Sequence, residues 1–388
     1  MSAGNFGDYQ LGIYMQGMLG LKPAQTLNIE ELERQAREKI DPRAYWYVAG
    51  GAGAEDTVRF NRDGFAKWRI VPRMCRNVKQ RNYTTQLLGN TMPAPVMLAP
   101  IGVQEIVHPE AERAIARAAS SLGVPMILST VSSTPLEEVA TLMGNTPRWF
   151  QLYPPGDRAV AKSLVERAEA AGYSAIVITM DTRLIGWREH DLQEAYLPFL
   201  EGKGIVNYTT DPAFRASLEE TPEENLRGAI ARWSEIYADT SQTWEDIKFI
   251  RGLTKMPVLI KGILHPEDAQ LAIDCGLDGI VVSNHGGRQV GGAISAIEAL
   301  PAIVAAVGGK TAILFDSGIR HGSDAMKALA LGADTVLLGR PYVWGLAVNG
   351  EDGVREVVRR FLADFDLAMA LSGFTSIKDL TPEILVRA

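Results

Sequence analysis

From Pro95 onward, short runs of apolar and β-branched residues alternate with stretches whose apolar positions recur at helical spacing. The alternation predicts βαβ units and hence an α/β fold with a parallel sheet. The runs are PVMLAP (95–100), PMILST (125–130), RWFQLY (148–153), SAIVITMD (174–181), PVLIKG (257–262), GIVVSN (279–284), TAILFD (311–316) and DTVLLG (334–339). Eight is the strand count of a closed (β/α)8, or TIM, barrel, and the stretch from Pro95 to Gly345 has the roughly 250 residues such a barrel takes.

Several junctions repeat one device, a helical stretch stopped by glycine a few residues before the next apolar run: Gly123, Gly172, Gly276 and Gly332. Glycine there supplies the left-handed stop. Val160, Leu164, Val165 and Ala168 share a face before Gly172, as do Ala325, Ala328 and Leu329 before Gly332. Pro266 suits a first helical position and Ser323 an N-cap. The rival, an open doubly wound sheet, loses support because no G-x-G-x-x-G follows any of the runs.

Two segments fall outside the alternation, and both read as parts of a single domain spanning 1–388. Residues 1–94 carry an amphipathic helix near Ile29–Lys39 and the glycine-rich turn AGGAGAED (49–56), and read as an N-terminal helical segment. Between the fourth and fifth strands, residues from about Leu184 to Ile250 far exceed a usual βα connection and read as a partly helical lid, with a plain surface insertion as the alternative. Residues 346–388 read as C-terminal helices closing the 95–345 barrel.

Charge and composition narrow the function. The chain holds 39 basic and 46 acidic residues, a net charge of -7, with no basic block of the kind nucleic acid or an anionic membrane requires. Its start, MSAGNFGDYQLGIY, has no basic-then-apolar signal, and no stretch reaches the ~18 apolar residues of a membrane span. Two cysteines, Cys75 and Cys275, read as reduced, packed thiols in a cytoplasmic protein. Histidine and cysteine do not cluster at ligand spacing, so no metal site is expected.

A barrel of this type places its chemistry at the C-terminal strand ends. Those ends carry Pro100, Ile101 and Gly102; Ser129; Gln151 and Tyr153; Thr179 and Asp181; Lys261; Ser283, Asn284 and His285; Asp316, Gly318 and Arg320; Gly339 and Arg340. DSGIRHG and LLGRP pair glycines with arginines at the strands where barrels often bind phosphate, which implies a phosphate-bearing cofactor; glycine turns with surface arginines are the alternative. SNHGGRQ (283–289) sets His285 three residues before Arg288, a general base beside a carboxylate clamp, with Asp181 available to stabilise an imidazolium. The other histidines, at 108, 190, 265 and 321, lack such company and read as structural or surface residues. Lys261 closes an apolar strand and needs an anionic partner or a catalytic purpose. A Schiff-base lysine in a non-redox barrel aldolase or isomerase is one such purpose, but Arg188 and Arg288 favour a carboxylate substrate.

Taken together, YVAGGAG, LAPIG, WFQLY, TMDT with GWR, IKGI, SNHGGRQ, DSGIR and GRP resemble, in order, the FMN-dependent 2-hydroxy acid dehydrogenase/oxidase family, over about residues 40–345. The resemblance implies that His285 accepts the substrate hydroxyl proton while Asp181 stabilises its charged form. Arg188 and Arg288 would hold the substrate carboxylate, and Tyr47 and Tyr153 would hydrogen-bond the carboxylate or the reacting oxygen. Lys261 would stabilise negative charge on reduced FMN. Pro100, Ile101, Gly102, Ser129, Gln151, Thr179 and Ser283 would line the flavin ring, and Asp316, Gly318, Arg320, Gly339 and Arg340 would hold ribityl and phosphate.

Within that family the chain is most similar to the lactate 2-monooxygenases, through FGDYQLGIYMQGMLG, NYTTDPAF and TWEDIKFIRGLTKMPV. Lactate oxidases tend to carry alanine at the position of Gly102, and a missing methyl there is expected to alter the room for oxygen and product. Ala54 departs from the aspartate of close relatives, a change in loop packing. The resemblance implies L-lactate and O2 as substrates, with acetate and CO2 rather than pyruvate and peroxide as products, and a homotetramer or homo-octamer.

Overall fold

The computed structural model describes residues 5–237 and 239–388. The first four residues of the chain start discussed above, and Ala238 of the long insertion, lie outside the described residues. All eight apolar runs form strands: β1 (Val96–Leu98), β2 (Met126–Ser129), β3 (Arg148–Leu152), β4 (Ile176–Thr179), β5 (Val258–Ile263), β6 (Gly279–Val282), β7 (Ala312–Phe315) and β8 (Thr335–Leu338). They pair parallel in sequence order and close, β8 against β1, into a barrel.

Strand alternation divides the core in two. Side chains two residues apart point the same way, so Val96, Leu98, Phe150, Ile176, Ile178, Val258, Ile260 and Val336 face outward and join one large cluster with the surrounding helices. Met97, Ile127, Trp149, Val177, Leu259, Val281, Leu314 and Leu337, one from each strand, fill the interior as a separate cluster. Leu87 and Met92 belong to that interior cluster. They lie on the antiparallel strands Thr85–Leu87 and Asn90–Met92, which therefore pack on the inner layer from outside the barrel sequence.

The helix over Ile29–Lys39 forms as expected, with Asn28 capping it through a 2.8 Å bond from the Glu31 N–H. The four glycine stops all adopt positive φ. Pro266 opens its helix. Ser323 is not the N-cap: His321 takes that place, and Asp324 accepts hydrogen bonds from the His321 and Arg320 backbone N–H groups, closing the turn from the carboxylate side. Cys75 is exposed rather than packed, and both cysteines are free.

The chain ends differ from the helical reading. One helix runs from Arg340 to Leu371, interrupted at Asn349 and Gly350, and starts directly at β8. Beyond it, Leu385–Arg387 forms a strand antiparallel to Trp68–Ile70, so the two flanks of the barrel are sewn together. Polar and apolar residues alternate too briefly in these three-residue strands to register as a pattern.

Candidate active site

Two residues beyond the apolar inner layer, the same strand faces turn polar. Ser129, Gln151, Thr179, Lys261, Ser283 and Asp316 follow Ile127, Trp149, Val177, Leu259, Val281 and Leu314 at i+2, and all six are buried. The barrel thus ends in a polar floor. Above it lies a cleft lined by Tyr47, Tyr153, Arg188, His285 and Arg288 and by Gly318, Arg320, Gly339 and Arg340. Pro100, Ile101, Gly102, Lys261 and Asp316 line it as well, whereas Ser129, Gln151, Thr179, Ser283 and Asp181 are not among its wall residues.

His285 stands on a strained loop. Its own φ is 57°, followed by Gly286 at 64° and Gly287 at 82°, a run of left-handed backbone that only glycine adopts cheaply. The loop is held from below: Asn284 accepts from the Gly287 N–H at 3.1 Å and exchanges amide hydrogen bonds with buried Asn61. Ser317 Oγ accepts from the Asn284 and Gly286 N–H groups. The imidazole is thereby fixed with Nδ1 2.7 Å from Asp181 Oδ1, which also accepts from Thr182 Oγ1. Asp181 is ionised: burial raises its pKa, but His285 and Lys261 together outweigh burial and hold it at about 2. With Nδ1 donating to a carboxylate, Nε2 is the free acceptor. Burial pushes His285 below the usual histidine range against the pull of Asp181, so the ring rests neutral.

Lys261 has the anionic partners it needed. Its ammonium lies 3.4 Å from Asp316 and 3.8 Å from Asp181 and donates to Ser283 Oγ at 2.9 Å. Burial drives its pKa down, yet the two carboxylates carry it above the ordinary value, which opposes a nucleophilic, Schiff-base lysine.

Four guanidinium groups line one cleft. Arg188 donates to the Arg288 carbonyl at 3.1 Å and to Gln289 Oε1 at 2.7 Å, while Arg288 and Arg340 both donate to the Gly50 carbonyl. This explains the turn 49–56: the carbonyl of its Gly50 anchors two arginines. Burial and then Arg188 push Arg288 down to about 9; burial and then Arg340 push Arg320 down to about 10. Cations so crowded and desolvated favour anionic groups in the cleft.

Gly102 touches the second loop. A β-carbon there would stand 2.5 Å from the Val131 carbonyl oxygen and 3.1 Å from Ser129 Oγ. The space a methyl would take is filled by Val131 rather than left open.

The cleft also contains residues the sequence did not flag: Phe199 and Tyr237 from the insertion, and Val131 and Ile185. Tyr237 stacks edge-on to Tyr153 with centroids 5.5 Å apart, and Phe199 packs on Tyr47. For Phe199, Tyr237 and Ile185 the sole signal was membership of an overlong βα connection, which forms six helical pieces in the structure. That part of the insertion is cleft wall and not a plain surface loop.

The residues fit FMN. Buried Gln151 Nε2 and Thr179 Oγ1 have no hydrogen-bond partner among the described residues, a donor and a hydroxyl that a flavin edge would satisfy. Lys261 pairs in register with Thr179, and the arginines and glycines that line the cleft suit a phosphate.

Comparison with known proteins agrees. The profile of the FMN-dependent dehydrogenase family matches residues 36–387. The L-lactate oxidase of Lysinibacillus sphaericus is 44% identical over 92% of this chain and 92% of its own length. The 2-hydroxyacid oxidase 1 of Homo sapiens is 41% identical, over 90% of this chain and 94% of that one. A soluble mutant of the membrane-associated (S)-mandelate dehydrogenase of Pseudomonas putida superposes with a TM-score of 0.83 at 36% identity, covering 94% and 100% of the two chains.

Proposed function

Because the chain belongs to the FMN-dependent dehydrogenase family, we propose that its 2-hydroxy acid is small, L-lactate in the first place, and that the 2-oxo acid formed stays in the cleft. FMN-dependent oxidation of a 2-hydroxy acid is the activity the fold and family carry. When bound, FMN supplies the acceptor for the two electrons.

The observation that carries the reading is the Asp181–His285 pair, 2.7 Å apart, whose imidazole lines one cleft with Arg188 and Arg288. The arginines hold the substrate carboxylate, and Tyr47 and Tyr153 hydrogen-bond it or the reacting oxygen. Neutral His285 takes the hydroxyl proton on Nε2, and ionised Asp181 stabilises the imidazolium. Lys261, kept charged by its two carboxylates, offsets negative charge that develops over the polar floor. Ser129, Gln151, Thr179 and Ser283 with Pro100, Ile101 and Gly102 would hold the flavin ring; Asp316, Gly318, Arg320, Gly339 and Arg340 would hold ribityl and phosphate.

A small substrate is supported by the aromatic wall of Tyr47, Tyr153, Phe199 and Tyr237. Retention is supported by the insertion forming that wall, so that residues 184–250 act as a lid that governs release. Retained pyruvate then reacts with the H2O2 made from O2, giving acetate, CO2 and water. Release of pyruvate and H2O2, the outcome of an oxidase, is the second reading, favoured by the L-lactate oxidase likeness. We place the enzyme in the cytoplasm as a homotetramer or homo-octamer; exposed Leu11, Tyr14, Met15, Met18 and Leu19 on and beside the Asp8–Gly17 helix support self-association. No described helix is long and apolar enough to cross a membrane.

Product analysis with L-lactate under air decides between the two readings. Acetate and CO2 are expected; stoichiometric pyruvate and peroxide would make it an oxidase, and no bleaching of the flavin by L-lactate without air would remove lactate as substrate.

A further inference from the structure

Three residues after Arg188, on the short helix Glu189–Gln193, stands Asp191. Its Oδ2 is buried and has no hydrogen-bond partner among the described residues, although Arg188 Nη1 lies 3.8 Å away. Both side chains are nearly closed off from solvent, 7% exposed for Arg188 and 11% for Asp191. Arg288 is the other guanidinium acting on this carboxylate, and His190 and Tyr47 are the remaining titratable groups around it.

The carboxylate does not orient Arg188. That guanidinium is already fixed by the Arg288 carbonyl and Gln289 Oε1, and 3.8 Å is too long for a hydrogen bond. A buried, unbonded carboxylate is costly by itself. Charge offsets part of the cost: two desolvated arginines, which repel each other, gain from any anion, although burial still leaves the Asp191 pKa above the ordinary value.

We propose that Asp191 is a built-in counter-anion for the Arg188–Arg288 pair, and that it weakens the cleft's hold on every carboxylate, substrate and product alike. The inference rests on the reading of those arginines as the carboxylate clamp. A substrate carboxylate brings a second negative charge to guanidinium groups already partly neutralised, so its net gain is smaller than two bare arginines would give. Because substrate and transition state carry the same carboxylate, the effect falls on binding and leaves the chemical step alone. Asp191 is therefore a positioning residue for charge, and its benefit to turnover is product release.

The test uses the FMN-loaded Asp191→Asn enzyme. Removing the counter-charge lowers both the KM for L-lactate and the Kd for pyruvate, read from the shift in flavin absorbance, by about tenfold at the effective dielectric of such sites, with the limiting rate of anaerobic reduction nearly unchanged. Damage to the fold cannot tighten binding, so this outcome is specific. Equal or weaker pyruvate binding overturns the proposal. Asp191→Ser serves the same purpose should the first variant not fold. Glu194→Gln removes an exposed negative charge from the next turn and leaves binding unchanged; equal tightening there would mean a long-range field and would overturn the local role. Arg288→Lys separates the two levels: if it leaves pyruvate binding intact the clamp reading fails, whereas a weakened clamp with no response at Asp191 sinks the counter-anion alone.

Discussion

The Val131 carbonyl oxygen lies 2.5 Å from the place a β-carbon on Gly102 would occupy, and Gly204 of the insertion approaches the same oxygen from another side, its own β-carbon position 3.0 Å away. Two glycines from separate elements thus enclose one carbonyl, which the Val103 N–H also holds at 2.8 Å. Next to it, buried Asn207 donates to the Thr130 carbonyl and to Ser132 Oγ. The second loop and the insertion are one packed unit at the cleft wall.

Gly102→Ala therefore acts by displacement. The new methyl meets backbone, so Val131 moves, at the ~1–3 kcal/mol typical of overpacking. We expect a lower Tm, weaker pyruvate binding to the FMN-loaded enzyme, and a product mixture shifted from acetate toward pyruvate and peroxide. An unchanged product ratio would disconnect Gly102 and its neighbour from product retention.

Replacing the base tests the dyad. His285→Gln keeps the size of the side chain but cannot accept the hydroxyl proton, and loss of a general base costs on the order of 10²–10⁴ in rate. FMN content should stay at one per chain, because Gly318, Arg320 and Gly339, proposed for ribityl and phosphate, follow other strands. Stopped-flow reduction by L-lactate without air measures the loss. Reduction at the native rate would remove His285 from proton transfer.

The barrel was legible because each strand buries both faces and so writes an uninterrupted apolar run, ending where the inner face turns polar. Lys261 could be singled out on those grounds alone. The insertion was not legible in the same way: Phe199, Tyr237, Gly204 and Asn207 act through contacts made across long sequence separations, which no local periodicity announces. Ser323 misled because the capping side chain is Asp324, working backward onto His321. The strand Leu385–Arg387 is three residues long and is defined by its partner Trp68–Ile70, which no local pattern announces.

The flanks depend on one buried carboxylate. Asp366 is fully buried, paired with Arg81, and accepts from Tyr83 at 2.9 Å and from the Gly7 N–H at 2.6 Å, so it joins the start of the chain to the C-terminal helix. Asp366→Ala leaves Arg81 without its partner, a loss of about 3–5 kcal/mol by comparison with other broken buried pairs. Denaturant unfolding of the FMN-loaded protein measures it. The sign with pH follows: burial raises the Asp366 pKa but Arg81 and the N–H donor hold it below the usual 3.8, so its contribution is complete above that value and fades as pH falls through the lower one. A variant as stable as the parent would show that the pair contributes nothing net.

The resting charge of His285 fixes the acid side of the activity profile. Burial disfavours the imidazolium more than Asp181 favours it, so the folded pKa lies below the ordinary 6.5. The ring is the proton acceptor only while neutral. Activity as kcat/KM should therefore persist as pH falls through 6.5 and decline only at the lower value, with a slope of one proton. Asp181→Asn removes the carboxylate that draws the pKa upward, so the acid limb should move to still lower pH while the rate falls, since the imidazolium formed in the reaction loses its partner. If the limb moves up instead, or stays at 6.5 in both proteins, then the group that titrates is not the His285 imidazole held at 2.7 Å from Asp181.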